Sequence, residues 1–154
     1  MFIHTHPWLK SRVKIAPLPP NEAARLAALH RYDVLDTPPE PAFDDLTRLA
    51  AQICGTPISL ITLLDASRQW FMSRTGLETS EAPRDVSFCS HTILQPDLSI
   101  VEDASRDERF ADNPLVSGER GTGNAECGTN PAFPWRFYAG MPLVTPDGFA
   151  LGTL

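Results

Sequence analysis

Lysine is almost absent: Lys10 and Lys14 are the only two, both near the N-terminus. With 13 basic against 19 acidic side chains, the formal charge is −6. Phosphate backbones are bound by clustered Lys and Arg, so this balance argues against a nucleic-acid surface. Cysteine is scarce too. Cys54, Cys89 and Cys127 are odd in number and irregularly spaced, with no C-x-x-C pair, which points to neither a disulfide framework nor a zinc knuckle. No apolar run approaches the ~18 residues of a membrane helix, and the N-terminus lacks a signal-like apolar core. The expected setting is soluble, reducing and cytoplasmic, with no membrane partner. Several catalytic signatures are missing as well. There is no G-x-S-x-G and no H-E-x-x-H, and Gly118-Glu119-Arg120-Gly121 does not run on into the Lys-Ser or Lys-Thr of a phosphate-binding loop.

What is present fits one domain: 154 residues, 42% of them apolar and 21% charged. Residues 1–20 read as an N-terminal extension, because they show no period and Pro19-Pro20 disfavours helix. His4 and His6 within it make a poor metal grip. Asn21 is placed to cap a helix with apolar positions Ala23, Leu26, Ala27 and Leu29. Thr37-Pro38-Pro39-Glu40 separates it from a second helix, in which Phe43, Leu46, Leu49, Ala50 and Ile53 share one face, Asp44 and Arg48 can pair, and Gly55 stands at the C′ position.

Pro57 to Leu64 is apolar at both parities, as in a central strand covered on both sides. Asp65-Ala66-Ser67 turns it into a hairpin partner, Gln69 to Arg74, with Trp70, Met72 and Arg74 on one face and Gln69, Phe71 and Ser73 on the other. Val86 to Leu94 reads as a short helix capped by Asp85 or Ser87, and Leu98 to Val101 as a strand. Ser105 with Glu108 forms a capping-box pattern that opens a helix through Phe110. Arg136 to Val144 and Phe149 to Leu154 read as two strands joined by the turn Thr145-Pro146-Asp147-Gly148. Adjacent hairpins with interspersed helices give an α+β architecture.

The stretch Pro83-Arg84-Asp85-Val86-Ser87-Phe88-Cys89-Ser90-His91-Thr92-Ile93-Leu94 gathers an ion-pair candidate, a thiol, an imidazole and large apolar groups. Together with Arg68-Gln69-Trp70-Phe71 and Arg136-Phe137-Tyr138-Ala139-Gly140-Met141-Pro142-Leu143, it resembles the GAF domains found at the N-termini of bacterial histidine kinases, diguanylate cyclases and related sensors. The resemblance covers about residues 21–154. It implies a GAF-like central antiparallel sheet with helices on both faces and a small-molecule pocket. Two departures stand out. Residues 121–135 read as an inserted loop, and the chain stops where family members continue through a further strand segment and a C-terminal helix. The domain is therefore expected to be C-terminally incomplete, less stable than an extended version, and prone to associate through the Phe43 to Ile53 helix or the sheet beneath it.

The resemblance implies a sensory or regulatory module, not itself an enzyme, that passes a signal to an output domain such as a histidine kinase or diguanylate cyclase. Trp70, Arg84, Asp85, Phe88, Cys89, His91 and Tyr138 are the candidate ligand-binding residues: aromatic bodies with a few polar handles, the mix a small-molecule site needs. The alternative for each is structural, with the aromatics as core and Arg84–Asp85 as a helix-anchoring pair. No cofactor is expected. Bilin-bearing GAF domains place histidine directly after the attachment cysteine in many cases, whereas here Ser90 intervenes, and the signature of cyclic-nucleotide-binding GAF domains is missing. One histidine is weak support for haem. Two other functions remain open. One is a GAF-fold thiol-based methionine-sulfoxide reductase centred on Cys89, although Cys89 and His91 point about 200° apart on a helix. The other is a ligand-free dimerisation module using the helices between Asn21 and Gly55. A homodimer is expected in either signalling case.

Overall fold

Everything is built around β1 (Ser59–Leu64), whose last four residues are all buried. In the computed structural model, which describes residues 13–117 and 134–154, Leu63 packs with Ala28, Leu29, Trp70 and Leu151 on one side. Leu64 packs with Cys89 and Ile93 on the other. The double-sided apolar pattern of this segment thus marks a central strand, as expected. β1 lies between β2 (Arg68–Thr75) and β7 (Ala150–Thr153) in a five-stranded sheet of order β3-β2-β1-β7-β6, all of whose neighbours run antiparallel. β3 is Glu81–Pro83 and β6 is Pro142–Val144. A separate ribbon pairs β4 (Ser99–Val101) with β5 (Tyr138–Gly140).

Helices α1 (Glu22–Arg31) and α2 (Pro41–Cys54) cover one face of the sheet, and the five-residue α3 (Phe88–Thr92) covers the other. Gly55, at φ 62°, takes the left-handed conformation that ends α2, as the sequence predicts. Asn21 stands at the start of α1 but makes no side-chain cap bond. None of the described helices is long and apolar enough to cross a membrane.

Several local expectations are corrected. The buried face of α1 is Arg25, Ala28 and Leu29. On α2 it is Thr47 and Ala51 that turn inward, leaving Leu46, Leu49 and Ile53 respectively 48%, 52% and 76% exposed. Arg48 pairs with Asp45, while Asp44 accepts from the Ser73 hydroxyl at 2.6 Å. In β2 the alternation fails at a bulge, because Ile61 opposes Ser73 and Thr62 opposes Phe71, leaving Met72 as the extra residue. A bulge reverses parity. Gln69 therefore reaches the α3 side, bonding Ser87, while Ser73 bonds Thr47 of α2.

The expected strand from Arg136 to Val144 breaks at Met141, whose backbone pairs with Leu154 while Tyr138–Gly140 leaves for the β4 ribbon. Pro142, lacking an N–H, starts the second piece. Finally, the capping box at Ser105 does not form. Asp103 takes the Ser105 N–H at 3.0 Å and its hydroxyl at 2.6 Å, capping only a short 3-10 turn, Ala104–Arg106. The next helix is α4 (Pro114–Ser117). Most of the 121–135 insert, with Cys127, and His4 and His6 lie outside the described residues.

Candidate functional site

Ser87 sets the site's frame. It caps α3, accepting from the Ser90 N–H at 3.3 Å, and its hydroxyl also bonds Gln69 of β2. Of the two expected caps, Ser87 is the one used. The cap directs Phe88, Cys89 and Thr92 into the layer between the main sheet and the β4–β5 ribbon, where all three are buried.

Phe88 is the centre of an aromatic nest. Its ring stacks on Phe110 at 4.0 Å with an interplanar angle of 6°, and meets Tyr138 at 5.1 Å and Trp135 at 5.6 Å in tilted contacts. Val101, Ala104 and Val116 complete the apolar wall. The guanidinium of Arg109 lies 5.0 Å from the Phe110 centroid, a cation–π contact, and is itself held by Asp107 at 2.7 Å. Asn113 ties the nest to α3 by donating to the Val86 carbonyl at 2.9 Å.

Behind the rings runs a chain of hydroxyls and one thiol. Thr62 and Thr153 share a bond at 3.2 Å, and Thr153 lies 3.0 Å from the Cys89 sulfur. Tyr138 reaches that sulfur at 3.7 Å and Thr92 at 2.8 Å. Burial first, then the Cys89 thiol beside it, pushes the Tyr138 phenol well above its ordinary range, so it remains a neutral donor. His91 lies at the rim, edge-on to Phe110 at 4.9 Å, with Nε2 3.1 Å from the Lys14 carbonyl. Burial lowers its pKa, the main cause among several. The sulfur's hydrogen-bond partners are hydroxyls, so Cys89 and His91 form no thiolate–imidazole pair.

Residues 38–154 match the family model described as GAF domain. The chain belongs to the GAF family. It is also 38% identical over 138 residues to a cyclic di-GMP phosphodiesterase of Pseudomonas aeruginosa, an alignment covering 90% of this chain and 21% of that protein. The chain therefore spans about a fifth of that relative's length.

Within this GAF domain the seven candidate residues do not form one site. Phe88, Cys89 and Tyr138 come together, with His91 at their edge. Trp70 lies on the opposite face of the sheet, in the cluster of Ala28, Leu29, Leu63 and Leu151. Arg84 does not pair with Asp85. It is buried, 2.5 Å from Glu22 and donating to the Asp65 carbonyl at 2.9 Å. Glu22 also takes Arg25, at 2.8 and 2.9 Å. Burial alone would raise the Glu22 carboxyl, but the bonds and charges of the two guanidinium groups outweigh it and bring its pKa to about 2.

Sequence reading overlooked Phe110, Thr92, Trp135 and Thr153. Thr92, four residues after Phe88, is a helical neighbour visible in the spacing. Thr153 is not, because its approach to Cys89 depends on the pairing of β7 with β1. Elsewhere, an open groove of about 740 Å³ lies between α2 and β2, lined by Asp36, Asp44, Arg48, Trp70, Met72 and Ser73 among others.

Proposed function

We propose that this GAF domain is a non-catalytic sensory or regulatory module that takes a small ligand on the α3 face of its sheet. Its occupancy is relayed through α1 and α2 to an output domain in bacterial signalling. The observation that carries the reading is the aromatic nest of Phe88, Phe110, Tyr138 and Trp135 backed by hydroxyls, apolar rings with few but convergent polar groups. Arg84, whose carbonyl accepts from the Ser90 hydroxyl of α3 and whose guanidinium is clamped to Glu22 of α1, supplies a physical link from that face to α1. The relative's name favours an output that handles cyclic di-GMP over a histidine kinase. The exposed Leu46, Leu49 and Ile53 of α2 favour a homodimer built on that helix.

The reductase reading is disfavoured by the thiol's surroundings. Cys89 is 5% exposed, and among the described residues its sulfur is hydrogen-bonded by the Tyr138 and Thr153 hydroxyls and by no cationic group that would hold a thiolate. A thermal-shift screen of small metabolites against the wild type and Phe88→Ala tests the proposal. Compounds that stabilise the wild type should lose their effect in Phe88→Ala, and the protein should not reduce free methionine sulfoxide with dithiothreitol. Turnover abolished by Cys89→Ser would establish the enzyme instead.

A further inference from the structure

Tyr138 bridges two buried clusters, packing against Phe88 and its neighbours on one side and against Leu64, Cys89 and Ile93 on the other. It does so by folding back along its own strand. A Cβ added to Gly140 would lie 2.1 Å from the Tyr138 hydroxyl oxygen, 2.7 Å from Cζ and 3.2 Å from Cε1. The inward Tyr138 therefore requires glycine two residues on, for room alone, since Gly140 is not in the left-handed region.

The obstacle there is the free end of one side chain. Gly152 and Gly76 differ: their added Cβ atoms would meet backbone carbonyls of Thr62 at 1.7 Å and Pro57 at 2.0 Å, which cannot yield. Tyr138 also has a way out. Its ring points inward, yet part of the side chain still reaches the surface, and among the described residues its strand pairs on one edge, with β4. One hydroxyl bond at 2.8 Å, to Thr92, is its principal polar tether.

We infer that Tyr138 is a gate. Folded over Gly140 its ring fills the middle of the α3-face nest, and by rotating toward solvent it vacates a space whose lining selects a small phenol-like ligand. The inference rests on the α3-face reading above and sharpens its ligand class. The vacated space presents the Phe88 ring, Thr92 Oγ1, Thr153 Oγ1 and Cys89 Sγ, the complement of a flat aryl group with one hydroxyl. The phenol now in place is the protein's own, so a ligand of that class repeats contacts the nest already makes. A ligand that stabilises the rotated form shifts the population toward it.

The chain has two tyrosines, Tyr138 and the half-exposed Tyr32, so 3-fluorotyrosine labelling gives one reporting and one reference fluorine resonance. In the wild type the Tyr138 signal should stand apart from that of Tyr32. Gly140→Ala should move it to a solvent-exposed position and raise the affinity for p-cresol about tenfold, because the plug no longer competes. Should Gly140→Ala fold poorly, Thr92→Val keeps the room but cuts the tether, and exchange broadening of the Tyr138 signal is then expected. An unmoved, sharp Tyr138 resonance in Thr92→Val and in a folded Gly140→Ala would overturn the gate. So would a swung ring with no gain in p-cresol binding. Ligands from the thermal screen that depend on Phe88 while Tyr138 stays fixed would refute the gate and leave the α3-face reading standing.

Discussion

The two faces of the central sheet are held by different chemistry. On the α1 and α2 face, aliphatic packing of Ala28, Leu29, Leu63 and Leu151 around Trp70 is reinforced by the buried Arg25–Glu22–Arg84 cluster. On the α3 face, stacked rings rest on a thread of weak hydroxyl and thiol bonds. Burying charge commits a region to one geometry, because breaking the pair strands an ion. Separating neutral rings and hydroxyls strands no ion, so that side rearranges at a lower cost. The first face is suited to transmitting a change as a unit, the second to undergoing it.

The largest effect should come from the first face. Leu29 is fully buried, and Leu29→Ala should cost about 3 kcal/mol in denaturant titration. A loss below about 1 kcal/mol would mean that this face is as adaptable as the other.

Next is Glu22→Gln, which leaves two buried guanidinium groups without their carboxylate and should cost on the order of 2–3 kcal/mol near neutral pH. The sign of the pH dependence follows from the depressed carboxyl. Its stabilisation is present above the unfolded value near 4.5 and is lost as pH falls toward about 2. Stability measured from pH 5 to pH 2 should therefore fall less steeply in the variant than in the wild type, and parallel curves would remove Glu22 from the account.

Cys89→Ala should be milder, roughly 1–2 kcal/mol from lost burial, with ligand response retained. Its thiol should label with iodoacetamide only slowly, and labelling faster than a model thiol would revive the reductase reading.

The smallest change in fold stability, within about 0.5 kcal/mol, is expected for Leu49→Ser on the outward side of α2. Yet sedimentation should turn from dimer to monomer. An unchanged dimer would move the interface off α2.

Much of the architecture was legible in the sequence, and the reasons are local. β1 declares itself through apolar residues at both parities, α2 through its spacing and Gly55, and the Thr145–Gly148 turn through Pro146 and Gly148. What was not legible depends on pairing between distant segments. The β2 bulge sends Ser73 to α2 while Trp70 stays on the α1 side, and nothing in the spacing of Trp70 to Arg74 marks it. The division of residues 138–144 between two sheets likewise depends on β4 and β7 being available as partners. The Arg84–Asp85 pair was inferred from adjacency. Arg84 instead reaches back 62 residues to Glu22, a choice only the tertiary fold can make. Of the candidate site, the Phe88–Cys89–Tyr138 grouping was recoverable because all three belong to motifs carrying the GAF resemblance. Phe110 and Thr153 were not, because their segments look ordinary alone.

The central claim is that the ligand-responsive face is the α3 face. Native mass spectrometry of the protein purified from bacteria tests it most directly, comparing the wild type with Phe88→Ala and with Met72→Ala in the groove between α2 and β2. The account predicts a retained small-molecule mass in the wild type and Met72→Ala, and none in Phe88→Ala. A retained mass lost from Met72→Ala but kept by Phe88→Ala would contradict it and place the sensing site on the other side of the sheet.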